Sequence, residues 1–176
     1  MGAAVLPEKA RLGFDLIREA FDQSALGLVI ITLDGTFVEV NQAFCALLGY
    51  KREEIEGSHH TRFTHAEAAA RDEEHLRDAR ESGALPMPVV DKRFVRANGQ
   101  DVWVRRSAAV LRDAEGKPRY IVGAFLDLTE QRRAAHELEQ QMHFTRAMLD
   151  AIPSPVFFKD REGRYGLYNR AWDDLW

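Results

Sequence analysis

One stretch of this chain is repeated at a constant offset of 128 residues, the distance from Gly35 to Gly163. The matching segments are Leu149-Asp150 with Phe21-Asp22, Phe157-Phe158 with Val29-Ile30, Gly163-Arg164-Tyr165 with Gly35-Thr36-Phe37, and Asn169-Arg170-Ala171-Trp172 with Asn41-Gln42-Ala43-Phe44. The match needs no gap. A fixed period of this kind is typical of a repeated structural unit, and it constrains the fold more than any single motif does.

The repeated pattern predicts two β-strands joined by a turn and followed by a capped helix. An apolar run, a polar bend with glycine and a second apolar run are typical of a β-hairpin. Gly35 and Gly163 stand at the bends, where positive φ angles are commonly required. Asn41 and Asn169 close the second strand, and an asparagine side chain can accept a hydrogen bond from a first-turn N–H group.

The second copy stops at Trp176, which corresponds to Leu48 of the first copy. We therefore expect the chain to end inside a domain and to be a fragment of a longer multidomain protein.

The composition is ordinary for a globular domain in water, with 45% hydrophobic and 30% charged residues. The net charge of −4 is too small to indicate a nucleic-acid or membrane surface. No apolar run approaches the roughly 20 residues of a membrane span, and residues 1–6 lack the features of a signal peptide. A cytoplasmic location is expected, without direct contact to membrane or nucleic acid. Cys45 is the only cysteine and lies among apolar residues, which favours a buried thiol.

The order of elements is expected to be two strands, several short helices and three further strands. Apolar residues at helical spacing predict a first helix from Pro7 to Phe21. Thr64-His65-Ala66-Glu67 is a capping box at the start of a helix that runs to about Ser82, before Leu85-Pro86-Met87-Pro88 breaks it. Asn98-Gly99 is a strong hairpin signal. The last three strands are expected at Val89–Val95, Val102–Leu111 and Tyr120–Leu126.

The last strand leads into a helix with an apolar seam. Asp127 is a candidate N-cap, and Glu130 stands three residues later as the other half of a capping box. Apolar or small residues then recur at alternating spacings of three and four, at Ala135, Leu138, Met142, Thr145, Leu149 and Ile152. This short heptad seam, weak at Ala135 and Thr145, predicts a coiled-coil-like helix that pairs with a second copy.

These segments together resemble a PAS domain with its C-terminal PAC segment, over residues 21–130, followed by the start of a second PAS domain at residues 148–176. The resemblance rests on Val40-Asn41-Gln42-Ala43-Phe44, Leu48-Gly49-Tyr50, Lys51-Arg52-Glu53-Glu54-Ile55-Glu56-Gly57, Arg96-Ala97-Asn98-Gly99-Gln100, Val102-Trp103-Val104 and Asp127-Leu128-Thr129-Glu130-Gln131-Arg132. The last segment is similar to the Asp-Ile-Thr junction of the family.

The resemblance implies an α+β fold, with a five-stranded antiparallel sheet in the order 2-1-5-4-3 and helices over one face. We accordingly expect an N-terminal flanking helix at residues 1–23, a PAS/PAC domain at 24–128, a linker helix at 129–152 and a truncated second PAS domain at 153–176. The implied function is a sensory and signal-relay module of a bacterial histidine kinase, diguanylate cyclase or similar protein. Such a module passes a ligand- or partner-induced change through Asp127, Leu128, Thr129 and Glu130 to a dimeric helix and a linked output domain.

The sequence does not indicate catalysis within this chain. No spacing of nucleophile, base and orienting residue is visible, and no glycine-rich phosphate loop is present. The chain is therefore not expected to be an enzyme.

Neither haem nor flavin is expected, and the sequence identifies no other cofactor. Flavin-binding members use a cysteine within an Asn-Cys-Arg-Phe-Leu-Gln motif, whereas Cys45 belongs to a different helix. Haem-binding members use a histidine whose position corresponds to Asp72 here, and His75, three residues later, is better explained as a surface residue. His59, His60 and His65 form a small cluster, but they do not supply three or four convergent ligands, so no metal site is expected.

Three interpretations remain open: a ligand-sensing module with an internal pocket, a ligand-free dimerisation and interaction module with a filled core, and, less favoured, a haem or flavin sensor. A pocket would lie between the sheet and the helices of residues 41–82. Its candidate lining is Val29, Cys45, Phe63, Leu76, Trp103, Ser107, Ile121 and Gly123. Which face each strand residue takes stays open, because both faces of the strands are apolar.

The hydrophobic core is expected to contain residues from both hairpins and from the helices between them. The expected core residues are Val29, Ile31, Val38, Val40, Phe44, Leu48, Ile55, Leu76, Val104, Ile121 and Phe125.

Overall fold

The computed structural model describes residues 8–81 and 87–175. The chain divides into two compact units, one up to Thr129 and one from Glu130 to Trp176. The expected helix start at Pro7, the helix end at Ser82, the break at Leu85-Pro86 and the terminal Trp176 lie outside the described residues.

In the first unit, one helix precedes the strands, and three α-helices and a 3₁₀ turn lie between the first two strands and the last three. Its elements are α1 (Glu8–Gln23), β1 (Gly27–Thr32), β2 (Phe37–Val40), α2 (Gln42–Leu48), α3 (Arg52–Ile55), a 3₁₀ turn (His60–Arg62), α4 (Ala66–Glu81), β3 (Met87–Val95), β4 (Asp101–Arg112) and β5 (Pro118–Asp127). The second unit contains α5 (Thr129–Asp150), β6 (Phe157–Lys159), β7 (Tyr165–Tyr168) and α6 (Arg170–Asp173).

The sheet of the first unit has the order β2-β1-β5-β4-β3, and every neighbouring pair is antiparallel. This confirms the expected 2-1-5-4-3 sheet and the α+β class. Along β4, Val102, Val104 and Arg106 are buried, whereas Arg105 and Ser107 are exposed. The alternation shows that one face of β4 is covered, as expected for strand residues with a period of two.

The turn between β1 and β2 requires glycine. Gly35 has a φ of +93°, in the left-handed region that residues with a Cβ rarely adopt. A Cβ at this position would stand 2.5 Å from Cδ2 of His60 and 2.9 Å from Nε2 of His59. The turn can therefore pack closely against the 3₁₀ segment only because residue 35 has no side chain.

Asn41 ties three elements together through its buried side chain. Its Oδ1 accepts from the N–H groups of Leu28 (2.8 Å) and Phe44 (2.9 Å), which joins β1 to the start of α2. Its Nδ2 donates to the carbonyls of Phe21 and Leu26, both at 2.9 Å, which fixes the end of α1. The predicted cap is therefore confirmed, and the side chain also organises the chain before it.

The same hydrogen bonds occur 128 residues later around Asn169. Its Oδ1 accepts from Val156 N (2.8 Å) and Trp172 N (3.2 Å), and its Nδ2 donates to the carbonyls of Leu149 (3.1 Å) and Ser154 (2.9 Å). Each of these four partners is the counterpart of a partner of Asn41, and Nδ2 of Asn169 also donates to the carbonyl of Ile152 at 3.0 Å. The sequence repeat thus corresponds to a repeated local structure, a hairpin followed by an asparagine-capped helix.

The core lies between the helices and the covered face of the sheet, and aromatic rings dominate it. The ring of Phe44 is fully buried and lies 5.6 Å from Phe37, 5.8 Å from Phe94 and 5.1 Å from Phe125, measured between centroids. Tilted and edge-on pairs at these distances are favourable beyond the burial of their area. Burial of one such side chain stabilises the fold by about 1.5–3 kcal/mol.

Most of the expected core residues are buried, namely Val29, Val40, Phe44, Leu48, Ile55, Leu76, Val104, Ile121 and Phe125. Ile31 is partly buried against this core. Val38 was predicted wrongly, since 45% of it is exposed. The register between β1 and β2 passes from Glu39 to Phe37, so Val38 is the extra residue of a bulge and points away from the core.

The predicted apolar face of α1 is exposed, with Leu12, Leu16 and Ile17 each more than half accessible.

In the part of the chain that is described, no helix combines the length and the hydropathy that crossing a bilayer requires.

Candidate functional site

Four buried polar side chains meet on the covered side of the sheet. Asp72 comes from α4, Lys92 from β3, Arg106 from β4 and His60 from the 3₁₀ turn, and each is 4–7% exposed. Charged residues are rarely buried to this extent unless they are paired. We refer to these four residues as the buried charged cluster.

The carboxylate of Asp72 is the centre of the buried charged cluster. Lys92 donates from Nζ to Asp72 Oδ2, and Arg106 donates to Asp72 Oδ1 at 3.2 Å. Lys92 also lies 3.4 Å from the hydroxyl of Thr64, and the second terminal nitrogen of Arg106 donates to His75 Nδ1 at 3.0 Å. One buried carboxylate therefore faces two buried cations.

Burial changes the acid–base properties of this cluster. It lowers the pKa of Lys92, although the carboxylate of Asp72 acts in the opposite direction. Burial also lowers the pKa of His60, and the charge of Lys92 adds to that effect. The pKa of His75 is lowered for the corresponding reasons, burial and the guanidinium of Arg106. Both shifts favour the neutral form of the imidazoles, so the ion pairs of Asp72 with Lys92 and Arg106 dominate the electrostatics of the cluster.

The buried charged cluster opens onto a small internal cavity of about 40 Å³, lined also by apolar residues. These apolar residues are Val29, Ile31, Phe37, Leu76, Phe94 and Phe125. Nε of Arg106 has no hydrogen-bond partner within the described part of the chain. The volume is of the order of one or two water molecules, each about 30 Å³, and lies far below the roughly 300–1,000 Å³ of drug-sized sites.

The residues expected to line a pocket do not all come together. Val29 and Leu76 line the cavity, and Phe63 is buried in the aromatic part of the core without reaching it. Ile121 packs beside Leu76, and Gly123 pairs with Val29 across the sheet. Cys45 is half-buried on α2, against the core.

Trp103 and Ser107 were candidate lining residues whose face was left open, and they lie on the other face of β4 from Val102 and Val104. Arg106, which the sequence reasoning missed, takes the inward position instead. Counting inward from Val102 and Val104 with a period of two would have found Arg106. On β3, Lys92 stands two residues before the buried Phe94, so the same count would have placed Lys92 inward. Asp72, at the position that corresponds to the haem ligand of other family members, points inward and is the partner of two cations.

The histidine cluster of the sequence is also rearranged by the fold. His59 and His60 lie close to Glu73 of α4, with His60 Nε2 3.2 Å from Glu73 Oε1. His65 instead lies beside Arg93, with 3.4 Å between His65 Nδ1 and a terminal nitrogen of Arg93. The third group near the two histidines is therefore a carboxylate that is distant in sequence.

The junction between β5 and α5 is held by specific contacts. Oδ1 of Asp127 accepts from the backbone N–H of Thr129 (2.7 Å) and from its hydroxyl (2.5 Å). Arg96, from the turn between β3 and β4, donates to Asp127 Oδ2 at 3.2 Å. The N–H of Leu128 donates to the carbonyl of Trp103 at 2.9 Å, and the Leu128 side chain is buried. The start of α5 is thus fastened to the sheet, while Glu130 stays exposed.

Helix α5 buries no residue along its length. Of the seam residues, Ala135, Leu138, Met142 and Thr145 are exposed on it, and Leu149 is half-buried. Ile152 lies beyond the helix, which ends at Asp150, two residues earlier than expected. Leu138 and Met142 are each about 60% exposed, so an apolar surface remains along the helix.

Comparison with known proteins places these features in a family. The model of a family described as PAS domain matches residues 25–130. The probable diguanylate cyclase DgcE of Escherichia coli K12 is 28% identical over 125 residues, covering 71% of this chain and 11% of that protein. The blue-light-activated histidine kinase 1 of Erythrobacter litoralis is 35% identical over 140 residues, covering 73% of this chain and 38% of that protein. The chain therefore spans much less than half the length of these relatives.

Solved structures with low sequence identity share the fold. The PAS domain of an HTR-like protein from Haloarcula marismortui superposes with a TM-score of 0.55 at 23% identity, covering 68% of this chain and 96% of that one. An RNA-binding light-oxygen-voltage receptor superposes with a TM-score of 0.62 at 20% identity, covering 81% and 40% of the two chains.

Proposed function

This chain belongs to the PAS domain family, and we propose that it is the sensory and signal-relay module of a longer bacterial signalling protein. Its curated relatives include a diguanylate cyclase and a histidine kinase, in which it would correspond to a part outside the catalytic domain. Catalysis is accordingly assigned to an output domain linked to this chain. Because such outputs consume nucleoside triphosphates, the module is placed in the cytoplasm.

The observation that carries this proposal is the physical link between the cavity and the start of α5. Phe125 lines the cavity and stands two residues before Asp127, a distance of about 7 Å along a strand. In the register of β4 with β5, Arg106 pairs with Phe125, and Val104 pairs with Asp127. A change in the position of Arg106 therefore acts on the strand that ends in the junction.

The junction converts a change in the sheet into a change in the helix. Asp127 holds the first turn of α5 through Thr129 and is itself held by Arg96. A shift of β5 relative to the β3–β4 turn would alter the Arg96–Asp127 pair and hence the packing of α5. Couplings of this kind typically amount to about 1–3 kcal/mol, enough to change an output several-fold.

Two variants in the full-length protein test the relay. Asp127→Ala removes the cap and the ion pair, and Arg96→Gln removes only the ion pair. We expect both to change the output activity several-fold, while any ligand affinity of the module stays within a few fold. If neither variant changes the output, Asp127 is a helix cap and the proposed relay is wrong.

The partner of α5 is proposed to be a second copy of this chain. The seam of Leu138 and Met142 is apolar and exposed, its spacing is that of a heptad, and a twofold pairing covers the same face in both copies. Leu149, half-buried in one chain, continues the seam.

Sedimentation of the chain at micromolar concentration tests this pairing. The wild type should sediment as a dimer, and Leu138→Glu with Met142→Glu should shift it toward monomer. Gln140→Glu with Ala147→Glu is the matched control, because it adds two charges to the opposite side of the same helix. If the wild type is a monomer, or if the two double substitutions weaken the dimer equally, the proposed pairing through the seam is wrong.

The small cavity favours a second candidate function, a ligand-free dimerisation and interaction module. With about 40 Å³ of space, the interior as described accepts a guest of water size only. Absorbance and native mass spectrometry of the purified chain distinguish the two functions. A retained ligand mass supports the sensor, whereas a colourless sample with the mass of the bare chain supports the ligand-free module.

A further inference from the structure

Three side chains near the β1–β2 turn present metal-binding atoms to one another. Nε2 of His60 lies 3.2 Å from Oε1 of Glu73, and Nε2 of His59 lies 3.7 Å from the same oxygen. One donor atom from each residue falls within 4.8 Å of the other two. Two imidazoles and one carboxylate are a ligand set that suits zinc and its first-row neighbours rather than magnesium or calcium.

The observed separations fit coordination without a large rearrangement. In a tetrahedral site with bonds of about 2.0–2.1 Å, neighbouring ligand atoms are about 3.3 Å apart. The measured distances of 3.2 and 3.7 Å from Glu73 Oε1 lie within half an ångström of that value. The third separation, between the two imidazole nitrogens, is at most 4.8 Å, and rotation of the exposed His59 side chain would have to bring it to the same value.

The backbone positions the two histidines independently of any ion. The N–H of His60 donates to the carbonyl of Gly35 at 3.0 Å, and His59 pairs with Thr36 in an isolated β-bridge. The missing side chain of Gly35 leaves space for both imidazoles, whose ring centroids are 4.5 Å apart. Backbone contacts therefore hold two of the three ligands in place without an ion.

Each imidazole also has an oxygen group near its other nitrogen, as metal-ligating histidines commonly do. His59 Nδ1 lies 2.8 Å from the hydroxyl of Thr61, and His60 Nδ1 lies 4.0 Å from Oδ2 of Asp72. Nε2 of His59 donates to the carbonyl of Asp34 at 2.7 Å, so this proton must move to Nδ1, where the hydroxyl of Thr61 can accept it, before Nε2 binds a cation. With the proton of His60 on Nδ1, facing Asp72, Nε2 of that ring is available to a cation. A shift of less than 1 Å would bring Asp72 into hydrogen-bond range of His60.

We propose that His59, His60 and Glu73 form a binding site for a divalent transition metal of the zinc type. The fourth position is available to water or to the carbonyl of Asp34, which lies 2.7 Å from His59 Nε2. His59 and Glu73 are about 40% exposed, so the ion enters from solvent, while His60 is buried. The bound ion would join α4 to the 3₁₀ segment that packs against the β1–β2 turn, next to the buried charged cluster. The site needs only these side chains and does not depend on the signalling role proposed above.

Zinc titration of the purified 176-residue chain tests the site. Isothermal titration with zinc chloride should show one ion per chain bound at micromolar affinity or better. His59→Ala and Glu73→Gln should each weaken this binding at least about tenfold. Glu74→Gln is the matched control, because it removes the neighbouring carboxylate on the same helix, and it should leave the affinity within about twofold.

Two further measurements separate this site from other histidines and from misfolding. Cobalt(II) substitution should give the strong visible absorption of a four-coordinate ion in the wild type and in Glu74→Gln, and should lose it in His59→Ala. Circular dichroism should show folded variants, since both replaced side chains are at the surface. Zinc binding that is absent from the wild type, or that His59→Ala and Glu73→Gln leave unchanged, would overturn the proposal.

Discussion

Replacing Asp72 with asparagine should cost far more stability than replacing Lys92, one of the two cations that Asp72 contacts. Asp72→Asn keeps the shape of the side chain but removes the carboxylate that contacts both Lys92 and Arg106. The side chains of these two cations are 6% and 8% exposed, so neither can recover its hydration. Removal of one partner from a buried ion pair typically costs about 3–5 kcal/mol, because it leaves an uncompensated buried charge.

Replacing Lys92 should change the free energy of unfolding only a little, and the prediction depends on this difference from Asp72→Asn. Lys92→Met leaves Asp72 paired with Arg106, one charge against one, and removes a cation whose burial is itself costly. We expect a change within about 1 kcal/mol. In the double variant, Asp72→Asn with Lys92→Met, only Arg106 remains uncompensated, so the loss should be clearly smaller than for Asp72→Asn alone.

Urea denaturation measures these differences. Trp103 is the one tryptophan in the sequence before residue 130. With Trp172→Phe and Trp176→Phe in all variants, its fluorescence therefore follows the first unit. Glu74→Gln, an exposed substitution on α4, is the control and should change the free energy of unfolding by about 0.5 kcal/mol or less.

Either of two denaturation results would refute this reasoning. If Asp72→Asn lowers the free energy of unfolding by less than about 1 kcal/mol, the carboxylate is not holding two buried cations. If Lys92→Met lowers the free energy of unfolding as much as Asp72→Asn does, the inference that the buried charged cluster holds more positive than negative charge is wrong.

Three other substitutions or reactions test the core, the cap and the thiol. Phe44→Ala should lower the free energy of unfolding by about 3–5 kcal/mol in the same denaturation assay, whereas Val38→Ala, at the exposed bulge, should cost less than about 1 kcal/mol. Asn41→Ala removes an N-cap and leaves buried backbone groups without partners, so it should cost about 2–5 kcal/mol, and a loss near that of the exposed control Gln42→Ala would contradict the network. Burial raises the pKa of the Cys45 thiol above its ordinary value of 9.0, so the pH profile of iodoacetamide alkylation should shift to higher pH in the folded chain than in urea, and coincident profiles would contradict this.

Local patterns were sufficient for the secondary structure and for the main caps. The hairpin at Asn98-Gly99, the cap at Asn41 and the repeat at Asn169 depend on residues that are close in sequence, and all three are present in the structure. The strand order needed the family resemblance in addition, because alternation within a strand does not say which strands are neighbours.

The candidate site was less accessible to sequence reasoning. Val29 and Leu76 were placed correctly beside the cavity because apolar residues in such elements tend to be buried. The face of Trp103 and Ser107 could not be predicted, since β4 is apolar on both faces at its start and a shift of one residue reverses every side chain. Val38 was misplaced because a bulge interrupts the period of two.

By itself, the sequence therefore determined the repeated hairpin, the capped helix and the family. The tertiary structure alone decided which charges meet: Asp72 contacts Lys92 across 20 residues of sequence and Arg106 across 34. It likewise brought Glu73 to His59 and His60, and it set the contact of Arg96 with Asp127 across 31 residues. The physical reason is that the residues next to a charged residue in the sequence do not indicate whether its side chain is buried. Its partner depends on strand register and helix placement, which long-range packing fixes only once the whole sheet has formed.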